Sequence, residues 1–356
     1  MTDDGAEAGG PTRARRLLAA AGIGVLAALA AWHRTARFPD VTRSDLAFQW
    51  TASRLWSAGR DPYALIGPGR EFPWITGLVY PGTMLPAVWP LAALPLWAAV
   101  CAFAGLVAAA CAYAVTASGW HRLAVVLSWP FLFAVTSPQW SPLLTAAALL
   151  PALAGAVVIK PTIGLAVAAY RPDRRWLLGA VLGGGALVLL ATLRLPHWVE
   201  GWRVALATPP SPQSGQPSSG GLYDAIVFQP GGALALLALL RWRRPEARLA
   251  AVLACVPQTM GGYELVPLLA LVPATLLEAL ALAALSWGVA VGVALGNPYA
   301  TLAEGFRTGG LWSVWCAFVP ATALILRRPN VGALPAWGER MVAALPVPGW
   351  LRGVAA

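Results

Sequence analysis

Leu96-Trp-Ala-Ala-Val-Cys-Ala-Phe-Ala-Gly-Leu-Val-Ala-Ala-Ala-Cys-Ala-Tyr-Ala-Val-Thr-Ala117 runs for 22 residues without a charge. That is the length an α-helix needs to cross the hydrocarbon core of a bilayer. The rest of the chain has the same character. Its 356 residues are 58% hydrophobic and 11% charged, with a mean hydropathy of +0.65. Soluble domains carry about 25% charged residues, so the composition specifies an all-α polytopic integral membrane protein.

Outward from 96–117, apolar runs recur at 17–32, 80–93, 123–135, 142–159, 161–170, 176–195, 222–240, 249–259, 265–276, 279–295 and 310–326. Many are short and punctuated by proline, and by length they correspond to about ten to twelve spans. All but one of the 25 basic residues are arginine. The arginines cluster at 13–16, 171–175, 241–248 and 327–328, and basic clusters beside spans mark the cytoplasmic side. Both termini are therefore expected in the cytoplasm, with external loops at about 34–79 and 196–221. The transmembrane domain covers 13–328, after an acidic, Gly-rich tail at 1–12 expected to be disordered. The 329–356 tail carries Trp337, Met341, Val342 and Trp350, suited to rest on the membrane surface. The segment 209–221 (PPSPQSGQPSSGG) is low-complexity and expected to be flexible. The net charge of +10 is read as orientation and contact with anionic lipid. No basic soluble module is visible, which excludes nucleic acid as a partner. Four cysteines lie in apolar runs, and three scattered histidines lack a metal-ligand spacing.

Polar and aromatic residues concentrate between the first two runs. Ser44-Asp45-Leu46-Ala47-Phe48-Gln49-Trp50 opens on a helix N-cap and a first-turn acid, and Gly59-Arg60-Asp61-Pro62-Tyr63 closes with turn chemistry. Asp45 and Gln49 share one helical face, with Phe48, Ala52 and Leu55 on another. The pattern predicts an amphipathic juxtamembrane helix in the first external loop. Asp45 is either a general base or an acid favoured by the helix dipole. Trp50 and Trp56 flank it, as belt residues or as platforms for a sugar. Lys160 is the single lysine and follows an apolar run. It is either a phosphate-binding ammonium at membrane depth or a snorkelling helix-end residue. Gln139 lies in a polar break between two runs, to bond a sugar hydroxyl or to satisfy backbone. Tyr263 and Glu264 lie in another break, as pocket residues or as an external turn.

Taken in order, the acid Asp45, Gly59-Arg60-Asp61-Pro62-Tyr63, Tyr80-Pro81, Gln139 and Ile159-Lys160-Pro161 resemble the GT-C superfamily of polytopic glycosyltransferases. Within it they are most similar to the polyprenol-phosphate-mannose-dependent α-mannosyltransferases. The likeness covers roughly residues 45–175 and departs at Pro138, where relatives carry Gly, and at Met260-Gly261-Gly262-Tyr263, where they often carry histidine. The resemblance implies transfer of a sugar, with mannose expected, from polyprenyl phosphate to a lipid or glycan acceptor on the outer side, with inversion. It implies Asp45 as general base and Lys160 and Arg60 on the lipid phosphate. Gln49, Trp50, Tyr63, Tyr80, Gln139 and Tyr263 complete the expected substrate-binding set. No metal or cofactor is expected beyond the lipid-linked donor. The alternatives are a transporter or flippase of a lipid-linked or small anionic substrate, and an inactive membrane scaffold. The transporter calls for paired inverted halves, and no internal repeat is visible.

Overall fold

The computed structural model describes residues 11–37, 45–74, 76–170, 172–207, 225–257, 262–295, 302–332 and 340. The expected cap Ser44, the expected flexible segment 209–221, and most of the two expected tails lie outside them. Among the described residues the chain is helical, and the sole β pairing is two isolated bridges, Ile66 with Phe72 and Ala225 with Pro257.

In chain order the α-helices are α1 (Arg13–Arg37), α2 (Asp45–Ser57), α3 (Pro62–Leu65), α4 (Met84–Ala92), α5 (Leu96–Val115), α6 (Trp129–Thr136), α7 (Ser141–Leu149), α8 (Pro161–Tyr170), α9 (Arg174–Arg194), α10 (Trp198–Ala207), α11 (Pro245–Cys255), α12 (Val266–Leu271), α13 (Leu276–Leu295), α14 (Leu302–Ser313) and α15 (Val319–Leu326). Long 3-10 segments, Trp120–Leu127, Pro151–Val158 and Gly232–Arg241, link several of them. A 3-10 helix rises about 2 Å per residue against about 1.5 Å for an α-helix, so these segments cover depth with fewer residues. A π-helical turn at Val314–Phe318, just before Pro320, joins α14 to α15.

Among the described residues five stretches are long and apolar enough to cross a membrane: Arg13–Arg37, Leu96–Ser118, Arg174–Arg194, Leu276–Leu295 and Thr308–Leu326. They show large apolar side chains outward, including Leu18, Leu26, Val181, Leu193 and Leu277. The short helices α7 and α12 are buried. Every residue of α12 is buried, as are seven of the nine in α7. Among the described residues five helices thus have full spanning length, and the other apolar runs form shorter helices and 3-10 segments.

Packing depends on glycine where helices touch. Arg16 donates to the Tyr113 carbonyl at 2.8 Å near the α5 C-terminus, so α1 and α5 run antiparallel. They meet at Gly24 and Gly105, where a Cβ on Gly24 would stand 3.0 Å from the Gly105 oxygen. Small residues allow this backbone approach and the dispersion contact it brings. Gly105→Leu is expected to destabilise the protein by about 1–3 kcal/mol through overpacking. Thermal unfolding of the detergent-solubilised chain reads this as a lower Tm.

Arginines gather at one end. Arg248 donates to the Ala169 and Tyr170 carbonyls at 2.9 and 3.1 Å, capping α8, and Arg122 caps α12 through the Ala270 and Leu271 carbonyls at 2.9 Å. These are the carbonyls that a helix C-terminus leaves unpaired. Arg328 bridges Glu246 at 3.2 Å and Glu278 at 2.5 Å. The cluster ties three of the arginine-marked turns together.

One expectation is corrected by the fold. Read as a single span, 142–159 would separate Gln139 and Lys160 by about 30 Å of axial rise. Instead the chain turns back at Leu150–Pro151, so that Gln139 bonds the Asp45 carboxylate and Lys160 comes within electrostatic range of it. Proline at 151 ends α7 and opens the returning 3-10 segment. That segment packs on α9, where a Cβ on Gly155 would meet the Gly183 backbone at 2.5 Å. α2 also differs from a helix lying on the interface. Leu46, Ala47, Phe48, Gln49, Ala52, Ser53, Leu55 and Trp56 are all buried, because α4 covers one side and the α6–α7 break the other. Ser53 Oγ donates to the Leu85 carbonyl at 2.8 Å, fastening α2 to α4.

Candidate functional site

Four breaks in the helices converge away from the arginine cluster. The start of α2 brings Asp45, the α6–α7 break brings Gln139, the turn before α8 brings Lys160, and the turn before α12 brings Tyr263 and Glu264. α8 runs about 15 Å from Lys160 to its arginine-capped end, so half-length helices place polar backbone breaks inside the protein. Such breaks are tolerated at membrane depth when they are buried in protein or line a cavity.

Gln139 Nε2 donates to Asp45 Oδ2. An amide turned the other way would set its oxygen against the carboxylate, so an ionised Asp45 fixes the orientation. Gln139 Oε1 is left buried with no hydrogen-bond partner among the described residues. Gln49 is used at both ends: Nε2 donates to the Asp45 carbonyl at 3.1 Å and Oε1 accepts from Trp140 Nε1 at 2.8 Å. It positions the start of α2 and has little left for a substrate. Burial pushes the Asp45 carboxyl above its ordinary range, opposed by the charges of Lys160 and Arg34 and by the Gln139 hydrogen bond, with Glu264 adding to the rise. The positive charge around Asp45 therefore limits a shift that burial drives.

Lys160 Nζ donates to the Tyr263 hydroxyl at 2.7 Å and stands 3.9 Å from Glu264 Oε1. It lies over the Tyr263 ring at 4.1 Å and faces the Tyr80 ring at 5.8 Å. Phe48 packs on Tyr80 and Trp74 at 5.7 and 5.2 Å, and Phe133 stacks on Tyr263 at 6.1 Å. An aromatic wall thus runs from Trp74 to Phe133 with one ammonium on it, a combination suited to a sugar bearing an anionic group.

Of the sequence-derived residues, Asp45, Gln49, Gln139, Lys160, Tyr80 and Tyr263 come together. Tyr63 supports the cluster from behind. Its hydroxyl donates to the Tyr80 carbonyl at 2.8 Å, and burial pushes that hydroxyl up, keeping it protonated. Asp61 caps α3 by accepting from the Tyr63 N–H at 2.9 Å, the turn role expected of it. Arg60 and Trp50 do not join the cluster. Arg60 pairs with exposed Glu71 at 2.5 Å, and Trp50 Nε1 donates to the Leu94 carbonyl at 3.1 Å. Both line a separate open groove of about 670 Å³ on the other side of α2. The physical reason is the helical turn: position 50 is rotated about 100° from position 49.

Arg34 and Trp140 were not singled out from sequence as site residues. Arg34 donates to Ser137 Oγ and so braces the break that carries Gln139. Its place in the last turn of α1, the helix that precedes the Asp45 helix, was the available signal. Among the described residues no group of three or more His, Cys, Asp or Glu side chains is arranged to hold a metal ion. Comparison with family models, with curated proteins and with solved structures gives no match.

Proposed function

We propose that the chain is a membrane glycosyltransferase that moves a sugar, with mannose expected, from polyprenyl phosphate to a lipid or glycan acceptor on the extracytoplasmic side. The observation that supports this reading most is that Lys160, set on an aromatic wall, lies within electrostatic range of Asp45, whose carboxylate Gln139 holds. A base and a cation beside sugar-stacking rings are what displacement at an anomeric carbon requires.

In that reaction Asp45 takes the proton from the acceptor hydroxyl as its oxygen attacks the anomeric carbon. The bond from that carbon to the phosphate oxygen breaks with inversion, and polyprenyl phosphate leaves carrying the electron pair. The Lys160 ammonium stabilises the charge that grows on the phosphate, the role of a fixed cationic clamp. Tyr263 holds the ammonium in place. Gln139 Nε2 aims the Asp45 carboxylate, and Gln139 Oε1 is a buried acceptor unused among the described residues.

The test is transfer of radiolabelled mannose from polyprenyl-phosphate mannose to a pooled membrane-lipid extract by the full chain in detergent. Labelled lipid product supports the enzyme. Donor binding without transfer, together with donor movement between leaflets of proteoliposomes, favours the flippase instead.

The pH dependence follows from Asp45. A base must be ionised, so transfer is expected to rise with pH through an acidic limb lying above the ordinary carboxylate range. The sign for stability is opposite. A folded-state pKa above the unfolded one means that Asp45's contribution is fully present below the ordinary carboxylate value and is lost as pH rises through its own. A rate profile with its acidic limb at or below the usual range contradicts the assignment.

A further inference from the structure

The groove behind α2 has a chemistry of its own. Trp50, Arg54, Arg60, Phe72 and Trp89 line it, and it is open at the protein surface with a volume of about 670 Å³. The Arg54 guanidinium lies over the Trp50 ring, 4.7 Å from its centroid. Its guanidinium makes no hydrogen bond or ion pair among the described residues. Arg60 lies on the same wall, already engaged by Glu71 at 2.5 Å, so the groove carries one more cation than anion.

Its rim is aromatic and apolar. Trp89 is 54% exposed, and Trp97, just beyond the Leu94 that receives Trp50, is 57% exposed. Exposed tryptophans at the ends of membrane helices sit at headgroup level. Guanidinium groups beside them lie at the depth of lipid phosphates. Contact with the Trp50 ring restricts the Arg54 side chain, and its planar guanidinium can make a two-point contact with phosphate oxygens.

We propose that this groove binds the headgroup of an anionic phospholipid, with its phosphate on Arg54 and its acyl chains running down past Trp89 and Trp97. The charge balance of the groove and its aromatic rim select a lipid phosphate. α2 then separates two anion sites, Lys160 on one side and Arg54 on the other. The proposal stands whether or not the chain transfers sugar, because it uses none of Asp45, Gln139, Lys160 or Tyr263.

The experiment places the full chain in phosphatidylcholine nanodiscs doped with phosphatidylglycerol and measures retained lipid by native mass spectrometry. Wild type is expected to retain phosphatidylglycerol selectively. Arg54→Gln is expected to weaken that retention about fivefold or more, the effect of one arginine near the membrane surface. Arg203→Gln, which removes an exposed arginine paired with Glu200 on α10, is the matched charge control and is expected to change little. Equal retention by wild type and Arg54→Gln overturns the proposal, as does equal retention of phosphatidylcholine. Displacement of the lipid by soluble glycerol phosphate at similar concentration overturns the lipid assignment in favour of a free phosphate. Arg54→Lys supplies the folding check: it keeps the charge without the planar fork and is expected to retain an intermediate amount.

Discussion

Asp45→Asn is expected to lower mannosyl transfer by about 10²- to 10⁴-fold while the protein stays folded. That range is what a positioned general base contributes. The substitution suits the site because asparagine has the volume of aspartate and its side-chain oxygen still accepts from Gln139 Nε2. Burial already disfavours the ionised carboxylate, so a neutral amide removes a cost rather than adding one. The measurement is transfer rate beside thermal unfolding, with donor binding as a third readout. Loss of transfer with donor binding and Tm retained assigns the proton-accepting role. Transfer at the wild-type rate removes Asp45 from the mechanism.

Lys160→Met is the second large effect, and it acts on stability and function together. Glu264 has 1% of its side chain exposed and faces the Lys160 ammonium at 3.9 Å. Removing one member of a buried ion pair costs about 3–5 kcal/mol, since the remaining charge loses its compensation. Lys160→Met is therefore expected to lower Tm and to abolish donor binding. The double variant Lys160→Met/Glu264→Gln separates the two effects. It carries no buried charge of the pair, so stability is expected to recover in large part, whereas donor binding is expected to stay lost. Recovery of donor binding in the double variant would mean that the ammonium balances Glu264 and does not hold a phosphate.

Much of the architecture was legible in the residues. Stretches such as 96–117 state their own requirement, because twenty or so apolar residues leave backbone polar groups that only a helix satisfies in lipid. The arginine-marked turns were legible for the same reason of local cost. Asp45, Gln139, Lys160 and Tyr263 were visible individually, as polar groups where an apolar sequence breaks. Arg60 and Trp50 show the limit of that approach. They look like site residues by composition, yet a one-residue rotation along α2 and one ion pair with Glu71 direct them into another groove.

The sequence by itself determined that this protein is helical, lies in a membrane, and concentrates its polar chemistry in a few breaks, because hydropathy and helix geometry act over neighbouring residues. Only the tertiary structure decided which breaks meet. The segment 141–158 has the apolar length of a span, and whether it crosses or folds back depends on what α9, α5 and α8 offer it to pack against. Folding back at Leu150–Pro151 brings Lys160 within electrostatic range of Asp45. The same energetics would have accepted a straight helix in another setting, and contact between distant residues is a property of the assembled bundle.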